Sequence, residues 1–201
     1  MTINERSFNL EIVRHKDDNK NRAICDAAIE LITKNGFADT SMSKIAKAAG
    51  VSPATIYVYF ENKEDLLNKL YLFVKREMST ELLRGVKPEQ STEEAFKIIW
   101  HNFYNFAVEN PVRFAFTEQF ANSPMVANCR MESMDFFKPL IDLFEGGKRA
   151  KIFKDVSLEI FHAFTFSPLM GLIKEHLSGQ IVLDQKALAI AYEIAWDAVT
   201  N

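Results

Sequence analysis

Ser41-Met42-Ser43-Lys44-Ile45-Ala46-Lys47-Ala48-Ala49-Gly50-Val51-Ser52-Pro53-Ala54-Thr55-Ile56-Tyr57-Val58-Tyr59-Phe60 is the stretch whose reading decides the fold. Ser41 and Ser52 stand where a side-chain hydroxyl caps a short helix, and Pro53 follows at the first helical position. Ala46 is small enough for two helices to cross close together. Gly50, four residues on, ends the first helix where a positive φ is easiest for glycine. Val51 and Ile56 supply apolar contacts that close the unit. Two short helices, Met42 to Ala49 and Pro53 to Tyr59, joined by a turn containing Gly, make a helix-turn-helix. Ala and Gly at this spacing also suit a purely structural hairpin. The two caps, Ile56 and the Tyr57-Val58-Tyr59-Phe60 ending together favour a unit that reads DNA.

In such a unit the second helix is the reader. Pro53, Ala54 and Thr55 at its start let the backbone approach base edges. The hydroxyls of Tyr57 and Tyr59 reach phosphates. Lys63, at the start of the next helix, joins a positive side chain to a helix N-terminus and forms a phosphate clamp. Lys44 and Lys47 add charge on the first helix. The formal net charge of -3 is a poor prior for nucleic-acid binding. Residues 1–70 hold ten Lys or Arg against ten Asp or Glu. DNA affinity therefore depends on where the cations sit rather than on their sum.

Outward from this stretch the apolar spacing is helical nearly throughout, and the predicted fold class is all-α. A helix is expected from Asp18 to Asn35, closed by Gly36, and a long one from Lys63 to Arg84, capped by Asn62 with Asp65. Residues 85–90 form the clearest linker. Ser91 with Glu94 fits a capping box, and Pro111 after Asn110 starts another helix. Ser123-Pro124 begins one that reaches Glu145, kinked at Pro139 and weakened by Gly146-Gly147. Helices from Ser157 to Leu177 and from Asp184 to the C-terminus complete the chain. The domain reading is a flexible extension over 1–16, a helix-turn-helix domain over 17–62, and a ligand-binding and dimerisation domain over 63–201. Arg14, His15 and Lys16 would touch DNA only if that extension acts as an arm.

The first residues lack an apolar secretory core, and the apolar stretch Phe161 to Ile173 is interrupted and too short for a bilayer. The expected location is the cytoplasm. Cys25 and Cys129 fall in apolar helical patterns and read as buried thiols. No phosphate-binding glycine loop, nucleophile elbow or Cys/His cluster stands out, so neither an enzyme, a metal site nor a cofactor is expected.

The span Ala23 to Leu67 resembles the DNA-binding domain of the tetracycline-repressor (TetR) family. The resemblance rests on Gly36-Phe37, Thr40-Ser41, Ile45-Ala46, Ala49-Gly50-Val51-Ser52, Ile56-Tyr57-Val58-Tyr59-Phe60 and Asn62-Lys63-Glu64-Asp65-Leu66. It implies DNA contacts from Ser43, Pro53, Ala54, Thr55, Tyr57, Tyr59 and Lys63. Ser43 is shorter than the long polar residue many members carry there. Beyond the DNA-binding domain the resemblance is architectural. It implies a helical region that holds a ligand and dimerises through its last two helices.

The residues themselves admit that reading. Ala163, Ser167 and Gly171 repeat at four, as do Ala187, Ala191 and Ala195. Such stripes allow close helix packing, within one chain or between two. Most of the 17 Phe residues lie after Arg84. Aromatic stripes usually form core, but so many rings also suit an apolar ligand site with few polar groups. The candidate lining is Trp100, Phe103, Tyr104, Phe114, Phe120, Phe137, His162 and Phe166. The expected function is a homodimeric repressor, released from an inverted-repeat operator in double-stranded DNA by a small apolar or aromatic ligand. The alternative is a helix-turn-helix regulator without an inducer, controlled by a protein partner or by its abundance.

Overall fold

The computed structural model describes residues 20–201. The N-terminal extension, the Arg14-His15-Lys16 arm and the expected helix start at Asp18 lie outside the described residues. Within them are ten helices: α1 (residues 20–35), α2 (Met42–Ala48), α3 (Pro53–Tyr59), α4 (Lys63–Leu82) and α5 (Thr92–Glu109). They continue with α6 (Pro111–Ala121), α7 (Val126–Phe136), α8 (Lys138–Arg149), α9 (Leu158–Leu177) and α10 (Gln185–Val199). The only extended pairing among the described residues is an isolated bridge between Phe153 and Thr200. The all-α reading holds.

Local chemistry sets most of the boundaries. Ser41, Ser52, Ser91, Ser157 and Asp184 each accept a backbone N–H three residues on. At α5 the Glu94 side chain returns the bond to the Ser91 N–H, completing the capping box. Pro111 opens α6 where a missing N–H costs nothing. The expected single helix up to Glu145 is instead two, α7 and α8. Pro139 falls in the first turn of α8, where it has no intrahelical N–H to lose, whereas in one continuous helix its ring would clash with the carbonyl four residues earlier; Phe137 takes a non-helical conformation at the break. Gly146 and Gly147 do not end the helix; α8 runs through both to Arg149.

Among the described residues the packing forms two compact units, the residues up to Leu72 with 115–129, and residues 73–114 with 130–201. Helices α4, α6 and α7 each give part of their length to both units. In the first unit Ile24, Ile32, Ile45, Ile56, Leu66 and Leu70 are fully buried. Tyr71 stacks on Phe120 with ring centroids 4.4 Å apart, and Phe37 meets Phe116 and Phe120 edge-on. Cys25 and Cys129 are buried, their thiols donating to the Asn21 amide oxygen and the Asn68 carbonyl. In the second unit Phe96 on α5 is the hub, within 6.1 Å of the rings of Phe153, Phe161, Phe166, Tyr192 and Trp196. No helix among the described residues is long and apolar enough to cross a membrane.

Candidate nucleic-acid interface

The helix-turn-helix is built by its caps and by one left-handed residue. The Lys44 N–H bonds the Ser41 hydroxyl at 3.3 Å, and the Thr55 N–H bonds the Ser52 hydroxyl at 3.2 Å. Between the helices Gly50 adopts φ +66, and the Val51 N–H reaches back to the Ala46 carbonyl at 3.0 Å. That six-to-one bond satisfies an orphan carbonyl of α2 and fixes the angle at which the chain enters α3. A side chain at position 50 would have open space but a disfavoured backbone. Ile45, Ala46 and Ile56 are buried beneath the turn and fix how the two helices cross.

On α3 the inward anchor is Ile56, so the residues on the opposite arc are left to solvent. Pro53, Ala54, Tyr57 and Val58 are exposed, whereas Thr55 and Tyr59 are half-buried. The Thr55 hydroxyl lies 2.8 Å from that of Ser52, so it is engaged in the cap. Ser43, Lys44, Lys47 and Ala48 form the exposed side of α2. The Lys44 ammonium donates to the Asp39 carbonyl at 2.7 Å. Sequence reasoning placed Lys63 as a phosphate clamp. Its ammonium donates to the Phe37 carbonyl and so ties the α1–α2 turn to the start of α4. An ammonium has three N–H donors, which leaves two for other partners.

The turn from α3 to α4 is equally defined. Asn62 accepts the Asp65 N–H, and Asp65 accepts both the Glu61 N–H and the Lys69 ammonium at 2.8 Å. Burial works against the Asp65 carboxylate. The Lys69 bond, the Glu61 N–H and the Lys69 charge outweigh it and hold the carboxyl below its ordinary range. This turn keeps Tyr57, Val58 and the start of α4 in fixed register.

Residues 24–70 match the family model of bacterial regulatory proteins of the tetR family, and residues 92–200 match that of a tetracyclin repressor-like C-terminal domain. The chain belongs to the TetR family. TetR-family membership makes it a helix-turn-helix DNA-binding transcriptional regulator, from a family that is not enzymatic. A crystal structure of a TetR family transcription regulator from Marinobacter aquaeolei VT8 superposes with TM-score 0.89 and 30% identity, covering 94% of this chain and 99% of that one. The fatty acid metabolism regulator protein of Bacillus subtilis (strain 168) is 38% identical over 76 residues, 38% of this chain and 39% of its own. The transcriptional regulator FadR from Bacillus subtilis, solved in complex with stearoyl-CoA, has the same fold with TM-score 0.68 and 21% identity, covering 89% of this chain and 97% of that one.

The C-terminal region of this TetR-family chain brings together only some of the residues read as ligand lining. Trp100, Phe103, Phe114 and Phe166 are buried in the second unit, with Phe103 in ring contact with Phe114 and Phe166. The Trp100 indole N–H donates to the Thr165 carbonyl at 3.2 Å, and the Tyr104 hydroxyl donates to that of Leu183. Phe137 lies under the Lys75 ammonium, and His162 is exposed, stacked on Phe166. Phe120 belongs to the first unit, on Tyr71. Sequence reasoning passed over Tyr192. Its hydroxyl is buried without a hydrogen-bond partner, and burial, then the Glu93 charge, pushes its pKa up to about 12. The only sequence signal for it was a Tyr on the apolar side of α10.

The two small-residue stripes are placed differently. Ala163, Ser167 and Gly171 are exposed on α9, and Phe164 beside them is 57% exposed. On α10 Ala187 and Ala191 are half-buried and Ala195 is buried, turned into the core of its own chain. The exposed row of α10 is instead Ala189, Ile190, Glu193 and Ile194, with Ile194 65% exposed.

Proposed function

We propose that this regulator is a homodimeric repressor that leaves an inverted-repeat operator when a small apolar ligand binds in its second unit. The dimer would form through the exposed α9 row and the Ile190/Ile194 row of α10. Isolated exposed apolar side chains need no explanation, but Ile160 and Phe164 on α9 and Ile190 and Ile194 on α10 are exposed on two helices that pack on each other. Two reading helices related by a twofold axis then meet half-sites about one helical turn or somewhat more apart.

The observation that carries the ligand reading is Tyr192, a buried hydroxyl without a partner among the rings of Phe96, Trp100 and Trp196. Ligand sites are mostly apolar with a few convergent polar groups, and a buried hydroxyl without a partner is uncommon in a folded protein. Trp100, Phe103, Phe114 and Phe166 are the lining this reading retains. The stearoyl-CoA bound to the Bacillus subtilis FadR and the fatty acid regulator related to the DNA-binding segment make a long acyl chain the first compound to test. A ligand acts only by its different affinity for the two states, by about 1–3 kcal/mol in typical coupled systems.

The experiment titrates operator, defined by selection from random duplexes, with and without stearoyl-CoA and free stearate. Weaker operator binding, with an equal weakening of ligand binding by saturating operator, supports the reading. A compound that raises the melting temperature but leaves operator affinity unchanged removes the inducer role. The regulator controlled by a partner or by abundance then stands.

A further inference from the structure

On the reading helix α3 one apolar side chain has no role in folding. Val58 is 77% exposed, whereas Ile56, two residues earlier, is fully buried and anchors the helix. At 3.6 residues per turn Val58 lies one turn beyond Ala54, on the exposed arc that also holds Tyr57. Valine is a poorer helix former than alanine, and here it gains nothing from burial. Neither local propensity nor the core of the unit selects it. Its position does: α3 packs on α2, whose exposed residues include Lys44 and Lys47, cations that a phosphate backbone would meet.

We propose that Val58 is a specificity-determining residue, packing its methyl groups against the C5 methyl of a thymine in the major groove, with Ala54 beside it. The inference rests on the DNA-reading assignment of α3. Of the four bases only thymine presents a methyl group there, so an aliphatic side chain held at the base edges discriminates it without a hydrogen bond. Thr55 is less suited to base reading, because its hydroxyl is engaged with Ser52. Tyr57, next to Val58, retains the phosphate-reaching role. The face thus divides its labour: cations and phenol position the helix, and the aliphatic row reads.

The test uses duplexes selected by the wild-type chain from a random library, with each thymine replaced in turn by deoxyuridine, which lacks only the methyl. Wild-type binding should fall about fourfold per half-site at one thymine, the worth of one buried methyl. Val58→Ala should lose a similar factor on the unmodified duplex and be insensitive to deoxyuridine at that position. Its thermal unfolding should be unchanged or slightly higher, since Val58 buries little and alanine is the better helix former. Equal deoxyuridine sensitivity in wild type and Val58→Ala would assign the methyl to another residue and overturn the proposal, as would a wild type indifferent at every thymine. If Val58→Ala changes sedimentation but not duplex affinity, the side chain serves a protein contact instead. If the wild type selects no sequence at all, the operator reading falls together with this one.

Discussion

Replacing Lys63 by Met keeps the aliphatic stem and removes the charge. Two consequences follow from the geometry. The first is stability: Lys63 donates to the Phe37 carbonyl across 26 residues of chain, and the Phe37 ring packs on Phe116 and Phe120. A hydrogen bond from a charged donor is worth about 1.5–3 kcal/mol, and Lys63 is half-exposed, so water replaces part of it. The expected loss is about 1 kcal/mol, or about 0.4 M in the urea midpoint followed by circular dichroism. The second is DNA binding: the two remaining N–H donors are free to meet a phosphate. Each neutralised phosphate contributes about 0.9 to the slope of log affinity against log salt, so a twofold dimer should lose about 1.8. Operator binding measured by fluorescence anisotropy over a series of KCl concentrations reads that slope directly. Lys63→Arg should retain most of both effects. An unchanged slope with lowered stability would leave Lys63 as a tie between α1 and α4 and refute the phosphate clamp. An unchanged urea midpoint would refute the tie.

Gly147→Ala places a Cβ against the Phe153 ring and 3.1 Å from Thr92 Cγ2, so it should destabilise by about 1–3 kcal/mol. Adding Phe153→Leu should recover part of that loss, and urea midpoints that simply add would argue against a direct clash. Tyr192→Phe removes a buried hydroxyl without a partner, so stability near neutral pH should be unchanged or slightly higher. The folded Tyr192 titrates near 12 against an ordinary 10.0, so the unfolded chain loses its proton first. Stability from this group is therefore intact below pH 10.0 and is lost as pH rises toward about 12. The Phe variant should show a shallower alkaline decline, and identical alkaline profiles would refute the assignment. Phe164→Glu with Ile194→Glu puts charge on exposed apolar positions of α9 and α10. Sedimentation should shift to monomer with helix content retained, and an unchanged dimer would place the interface elsewhere.

What the sequence determined by itself is the chemistry that acts within one turn of chain. Ser41, Ser52, Ser91 with Glu94, Asp184, Gly36 and Gly50 could be read as caps and stops because each bonds or strains its own neighbours. The helix-turn-helix was legible for the same reason, and its exposed residues follow from Ile56 facing inward. Periodicity also gave the all-α class and an aromatic core. It could not say which partner each ring takes. Phe120 went to Tyr71 in the first unit rather than to the rings of the second, and Ala195 turned inward while Ile194 beside it turned out. Gly147 looked like a helix weakener and proved to be the bed of Phe153. Lys63, read as a phosphate clamp, also ties to the Phe37 carbonyl, a contact no local signal announced. Tyr192 was one tyrosine among five until burial left its hydroxyl without a partner. These outcomes depend on contacts between residues far apart in sequence. Small helical rotations and competition among similar side chains choose them, and only the packed tertiary structure decides that competition.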